Sequence, residues 1–171
     1  MNYQTCCCTG HRPKGFPFKY GIDEPKHKAF LEQLKQNIIL AYREYGATRF
    51  ISGMAVGVDL DFAETVLYLR DAEHYPFSLE CAIPCQNQTL KWSEADKLRY
   101  NSLLARADSV NLISERYTPE CMLKRNRYMV DKSNIVIAAF NGEEKGGTWY
   151  TIKYAKSKNK IIELIDLQKI S

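Results

Sequence analysis

The segment Arg49-Phe50-Ile51-Ser52-Gly53-Met54-Ala55-Val56-Gly57-Val58-Asp59 runs from a short apolar strand through a turn bracketed by glycines into a helix. The apolar positions of that helix, Leu60, Ala63, Val66 and Leu67, recur at helical spacing to about Arg70. Two further segments repeat the order. Thr9-Gly10-His11-Arg12-Pro13 follows a strand read over residues 3–9, and Gly142-Glu143-Glu144-Lys145-Gly146-Gly147-Thr148 follows residues 134–140, the most continuous apolar run of the chain. Glycine reaches backbone conformations closed to other residues, and a helix N-terminus presents free N–H groups and about half a positive charge. Strand, glycine turn and helix in succession make a seat for phosphate.

Outward from these turns the chain alternates strand and helix. Phe30, Leu34, Ile38, Ala41 and Tyr45 form one apolar helix face, which Gly46 ends as a C-cap. Residues 79–83 read as a third strand closed by Pro84. Trp92, Ala95, Leu98 and Leu103 mark a helix reaching about Arg106, and residues 109–113 a fourth strand. Thr118-Pro119 reads as a helix start, a capping hydroxyl followed by proline at the first helical position, with the helix running on through Met122, Met129 and Val130. A helix over 149–156 and a strand over 161–167 complete the pattern. Alternation without repeats or a low-complexity linker implies an α/β fold, with a mainly parallel central sheet, helices on both faces and one domain formed by residues 1–171. Ligands of such sheets sit at the C-terminal strand edge, where all three glycine turns fall.

Composition narrows the function classes. Hydrophobic residues at 45% and charged residues at 26% match a soluble globular chain, and no apolar stretch approaches the roughly 18 to 20 residues of a membrane span. The opening Met1-Asn2-Tyr3-Gln4-Thr5 lacks the basic and apolar regions of a secretory signal, so a cytoplasmic location is expected. Cys6, Cys7 and Cys8 are consecutive and alternate faces of one strand, which suits neither ordinary disulfides nor a metal cage. Cys81, Cys85 and Cys121 add only a lone C-x3-C without a neighbouring His, so all six read as small buried hydrophobes and no metal is expected. The net charge of +4 permits an anionic partner without requiring one. Lys153, Lys156, Lys158 and Lys160, at helical spacing, read as a solvated face.

The candidate site follows from the turns. In the first, Gly10 admits phosphate or ribose, Arg12 suits bidentate phosphate contact, and His11 reads as a hydrogen-bonding or capping residue ahead of a general base, having no carboxylate near it in sequence. In the second, Gly53 and Gly57 bracket a loop whose amides can point inward. Asp59 serves there either as a helix cap or as an acceptor from a ribose or base. In Lys124-Arg125-Asn126-Arg127, the guanidiniums of Arg125 and Arg127 and the amide of Asn126 can reach an anion over the sheet edge, and Arg127 reads equally as a solvated residue. In the third turn, Gly146, Gly147 and Thr148 open a helix. Neither a P-loop nor a G-x-G-x-x-G fingerprint is present.

These residues carry a resemblance. Cys8-Thr9-Gly10-His11-Arg12-Pro13, the Ser52–Asp59 turn, Arg125-Asn126-Arg127-Tyr128-Met129 and Gly146-Gly147-Thr148 with its helix together resemble the YpsA-like family of the SLOG superfamily, over almost the whole chain. Relatives in that superfamily include the LOG phosphoribohydrolases and the DNA processing protein A family. The resemblance implies a Rossmann-like three-layer sandwich that binds or senses a nucleotide or nucleotide-derived ligand, ADP-ribose-like ligands included, in a bacterial stress or cell-division context. It also implies a homodimer, since SLOG relatives often self-associate. It hands over no activity: LOG enzymes carry a P-G-G-x-G-T-x-x-E motif, and here Thr151 occupies the place of the glutamate. A nucleotide N-glycosidic-bond hydrolase would then need Asp59 or Glu64 as its carboxylate, Glu64 reading also as a surface residue. The DNA processing family implies single-stranded DNA binding as a further alternative. Against it, Phe16, Phe18, Tyr20 and Trp149 are not interleaved with a dense basic track in the sequence.

Overall fold

Six strands, all parallel, form one sheet in the order β4-β3-β2-β1-β5-β6 in the computed structural model, which describes residues 4–171. The strands are β1 (Gln4–Thr9), β2 (Ala47–Ser52), β3 (Ser78–Ile83), β4 (Ser109–Leu112), β5 (Ile135–Phe140) and β6 (Ile161–Asp166). The helices between them are α1 (Pro25–Tyr45), α2 (Val58–Asp71), α3 (Glu94–Arg106), α4 (Cys121–Lys132) and α5 (Gly146–Ser157). The first residue expected in the opening strand, Tyr3, lies outside the described residues, as do Met1 and Asn2 of the opening segment.

Chain direction explains the layering. From β1 the chain steps outward through β2 and β3 to β4, then returns to the other side of β1 for β5 and β6. Parallel crossovers are right-handed, so reversing the direction of travel moves the helices to the opposite face. Accordingly α1, α2 and α3 cover one face, over a core holding Phe30, Leu34, Phe50, Phe62 and Leu79, while α4 and α5 pack on each other across the second, with Met129, Val130 and Ala155 inward. The result is the Rossmann-like three-layer α/β fold. Cys6 and Cys8 face the first core and Cys7 the second, and all six cysteines are free and buried.

Gly46 ends α1 in the left-handed region (φ 75°), its N–H donating to the Tyr42 carbonyl. Several boundaries depart from the sequence reading: α5 opens three residues early, at Gly146, and β6 stops at Asp166. Helix α4 starts at Cys121 instead of Thr118-Pro119, because Thr118 and Pro119 belong to a turn in which the Cys121 N–H meets the Thr118 carbonyl at 3.2 Å, and the Thr118 hydroxyl caps nothing. In α3 the Ser93 hydroxyl caps the Asp96 N–H, Trp92 precedes the helix, and Leu98 is exposed while Tyr100 and Leu103 face the core. No helix among the described residues is long and apolar enough to cross a membrane.

Candidate functional site

The point where the chain reverses, between β1 and β5, opens a crevice at the C-terminal strand edge, as doubly wound sheets require. A cavity of about 310 Å³ lies there, at the lower end of the usual range for ligand sites. Its walls are the end of β1 and the following turn (Cys8 to Arg12, Lys14, Gly15), the entry to α2 (Ala55, Asp59), α4 (Met122, Arg125, Asn126, Met129) and the opening of α5 (Lys145 to Thr148).

Of the eleven residues expected from sequence to bind ligand, nine line this cavity: Gly10, His11, Arg12, Asp59, Arg125, Asn126, Gly146, Gly147 and Thr148. Gly53 and Gly57 do not. They act behind the wall: a Cβ at Gly57 would stand 2.4 Å from the His11 carbonyl oxygen, at φ 105°, and one at Gly53 would stand 2.6 Å from Arg125 Nη1. Gly10 combines both roles, since a Cβ there would meet the Val58 side chain at 2.5 Å. It lets the start of α2 press against the end of β1.

His11 is a fastener. Its Nε2 accepts the Asn141 N–H at 3.1 Å, which places the proton on Nδ1, and its ring stacks on Phe140. Burial lowers its pKa from the ordinary value, Glu143 opposing, so the ring is neutral and ties the turn after β1 to the turn after β5.

Arg125 is the decisive group. Its side chain is buried, yet among the described residues no carboxylate lies within 4 Å of the guanidinium. Its Nη1 donates to the Gly53 carbonyl, its Nε donates to Asn126 Oδ1 at 2.9 Å, and Nη2 has only the Met122 sulfur at 3.8 Å. Burial lowers the pKa of this group, with Asp59 opposing, but a guanidinium keeps its charge. Asp59 is buried too; its Oδ2 accepts the Ala55 N–H at 3.3 Å, and burial raises its pKa against the opposing pull of Arg125.

Helix α5 opens onto the same cavity. Its N-cap, Lys145, makes no side-chain cap bond, so no side chain of the N-cap covers the first N–H groups of the helix. At Gly147 an added Cβ would meet only Asn126 Nδ2, at 3.9 Å, so hydrogen at this position keeps the cavity open rather than the helix possible. Arg12, Lys14, Arg125 and Lys145 set four positive charges around one carboxylate, Asp59. Lys14 and Lys145 escaped the sequence reading, although each adjoins a glycine turn and the second immediately precedes Gly146.

Of the two readings of Glu64, its position supports the surface residue over the hydrolase carboxylate. It lies on the solvent side of α2, where its Oε2 accepts from Arg99 Nη2 at 2.7 Å, and it does not line the cavity. Thr151 donates its hydroxyl to the Gly147 carbonyl at 2.8 Å, so no acid stands one helical turn behind the glycines.

A family model described as the YspA SLOG family (YpsA) matches residues 6–170. The chain belongs to the YpsA family of SLOG proteins. A UPF0398 protein of Bacillus cereus (strain B4264) and another of Bacillus thuringiensis (strain Al Hakam) are each 28% identical to it over 158 residues, covering 90% of this chain and 83% of the relative. The matched span takes in every wall of the YpsA-family cavity, from Cys8 to Thr148.

Proposed function

We propose that the protein binds a small nucleotide or nucleotide-derived ligand in the crevice between β1 and β5, with a phosphate held between Arg125 and the N-terminus of α5. The observation that carries this reading is Arg125: a buried cation, facing a cavity and without a carboxylate within 4 Å among the described residues, calls for an anion to complete it. The free N–H groups of α5 address the same anion from the other side. Asp59, at the inner wall, is placed to accept from a ribose hydroxyl.

Thermal unfolding against AMP, ADP, ADP-ribose and dinucleotides tests it. Ligand at about 100 times its Kd adds about 2.7 kcal/mol, a shift of several degrees for a chain of this length. Gly147→Val puts a branched side chain into the cavity at a position where a Cβ would have only Asn126 Nδ2 nearby, at 3.9 Å, and should abolish the shift while the variant unfolds at the wild-type temperature or above. Equal shifts in both proteins would remove the phosphate from this seat.

One observation favours a second reading, cleavage of the bound nucleotide. Asp59 is a carboxyl with a raised pKa at the cavity wall, as a general acid requires. Chromatography of the stabilised mixture for released base settles it; an unchanged ligand after prolonged incubation leaves binding alone.

A further inference from the structure

The net charge of the chain has one address. Between residues 145 and 160 stand five lysines (145, 153, 156, 158 and 160) and no Asp or Glu; without them the chain holds 19 basic against 20 acidic residues. All but Lys145 and Lys160 project from α5 or its C-terminal cap, and Lys153, Lys156 and Lys158 are exposed. The same helix carries Trp149, Tyr150 and Tyr154.

Packing interleaves the two sets. Trp149 lies on Phe140, ring centroids 5.6 Å apart and planes 14° from parallel, and the ammonium groups of Lys153 and Lys156 stand 5.6 and 5.9 Å from its centroid. Arg127 reaches across from α4, 5.5 Å from the Tyr150 ring and 5.6 Å from that of Tyr154, with its Nε donating to the Tyr150 hydroxyl at 2.7 Å. Lys158 stands 5.5 Å from Tyr154. Among the described residues, the acid joined to this surface is Asp131, which accepts from the Tyr154 hydroxyl. This corrects the sequence reading: Trp149 and Tyr154 do interleave with Lys153, Lys156 and Lys158 along one helix, and Arg127, remote in sequence, joins them only in the fold. Phe16, Phe18 and Tyr20, the aromatics closest to the N-terminal turn, pack instead on one another.

We propose that the outer face of α5, with Arg127 of α4, binds single-stranded nucleic acid. Lysines alone attract any polyanion; rings set among them select one whose bases are unpaired. Cation–ring contacts at exposed sites are weak, so phosphates draw the ammonium groups off the rings and open ring faces to bases. Twelve residues of helix span about 18 Å, enough for several nucleotides. This surface lies outside the cavity, whose walls include none of Arg127, Trp149, Lys153 or Lys156.

Fluorescence anisotropy with short labelled oligothymidine and oligouridine tests the proposal, with a duplex of equal length and unlabelled heparin as competitors. Both strands, or one, should bind more tightly than the duplex; a preference names DNA or RNA as the source, and equality means that charge and stacking act alone. Lys153→Glu with Lys156→Glu, both exposed, should weaken binding at least about tenfold and flatten the slope of log K against log salt by about 1.4, two single-strand phosphates at about 0.7 each. Trp149→Ala should weaken oligonucleotide binding between about 5-fold and 150-fold and leave heparin binding unchanged. Heparin or duplex binding as tight as the single strands, or no effect of the lysine reversals, would overturn it. AMP stabilisation measured in the lysine variant reads the cavity separately, so either proposal can fail alone.

Discussion

Arg125 and Asp59 flank Gly53 so closely that a Cβ there would stand 2.6 Å from Arg125 Nη1 and 2.8 Å from Asp59 Oδ2. Both neighbours are tied down, the first to the Gly53 carbonyl and the second to the Ala55 N–H. The smallness of one residue therefore sets the distance between the buried cation and the buried carboxyl.

Gly53→Ala is expected to destabilise the fold by about 1–3 kcal/mol through overpacking, and to weaken AMP binding in the same variant because both wall groups shift. Urea denaturation reads the first effect and calorimetric titration the second. Unchanged values in both would mean that Arg125 and Asp59 move aside without consequence.

Arg125→Met separates stability from function. The substitution removes a buried charge that has no carboxylate within 4 Å among the described residues, and such charges are held at a penalty. The ligand-free variant should unfold at an equal or higher urea concentration. Phosphate affinity should fall by about 1.5–3 kcal/mol, the worth of hydrogen bonds to a charged partner. Loss of stability with retained affinity would invert this assignment and make Arg125 a structural tie.

Gly57 has the stricter requirement. At φ 105°, with the His11 carbonyl oxygen 2.4 Å from the site of a Cβ and the Arg12 Cα at 2.9 Å, both conformation and space exclude a side chain. Gly57→Ala should therefore destabilise by more than the roughly 1 kcal/mol that separates glycine from alanine on propensity alone. Gly147→Ala, with 3.9 Å to its nearest neighbour, should be neutral or stabilising. Denaturation midpoints of the pair check the contrast; equal effects would show that the backbone at 57 relaxes.

The contrast marks how far residues alone could be read. Strand and helix order was legible because apolar period changes at each glycine turn, and the co-location of three turns followed from parallel topology. What spacing cannot distinguish is a glycine that borders open cavity, as at 147, from one that clears room for protein, as at 53 and 57, since each is simply an absent side chain. Arg125 and Arg127 pose the same difficulty two positions apart on α4: one is buried under the cavity and the other lies outside it against Tyr150. Only the pitch of the helix against the sheet separates them.

The last expectation concerns the segment between β1 and α1, whose Lys14 and Gly15 line the cavity. Its far end is locked. His27 Nε2 meets Asp61 Oδ2 at 2.9 Å, the Tyr20 hydroxyl donates to Asp61 Oδ1 at 2.9 Å, Arg99 Nη2 donates to the same oxygen at 2.8 Å, and His27 Nδ1 meets the Gly21 carbonyl oxygen at 3.0 Å. Burial alone would lower the His27 pKa, but the hydrogen bond and charge of Asp61, with Gly21, outweigh it, and the folded value is raised above 6.5. A raised folded pKa means that the native state holds this proton more tightly than the unfolded chain does. The stabilisation is complete below about pH 6.5 and is lost as pH rises through the folded value. His27→Phe keeps a ring among Phe16, Tyr20 and Phe30 but cannot titrate. The stability gap between wild type and His27→Phe, measured by urea denaturation, should be widest near pH 6 and shrink toward pH 9, and AMP affinity should weaken in the variant as the Lys14 wall loosens. A gap that stays constant across that range would mean that His27 holds the segment by shape alone.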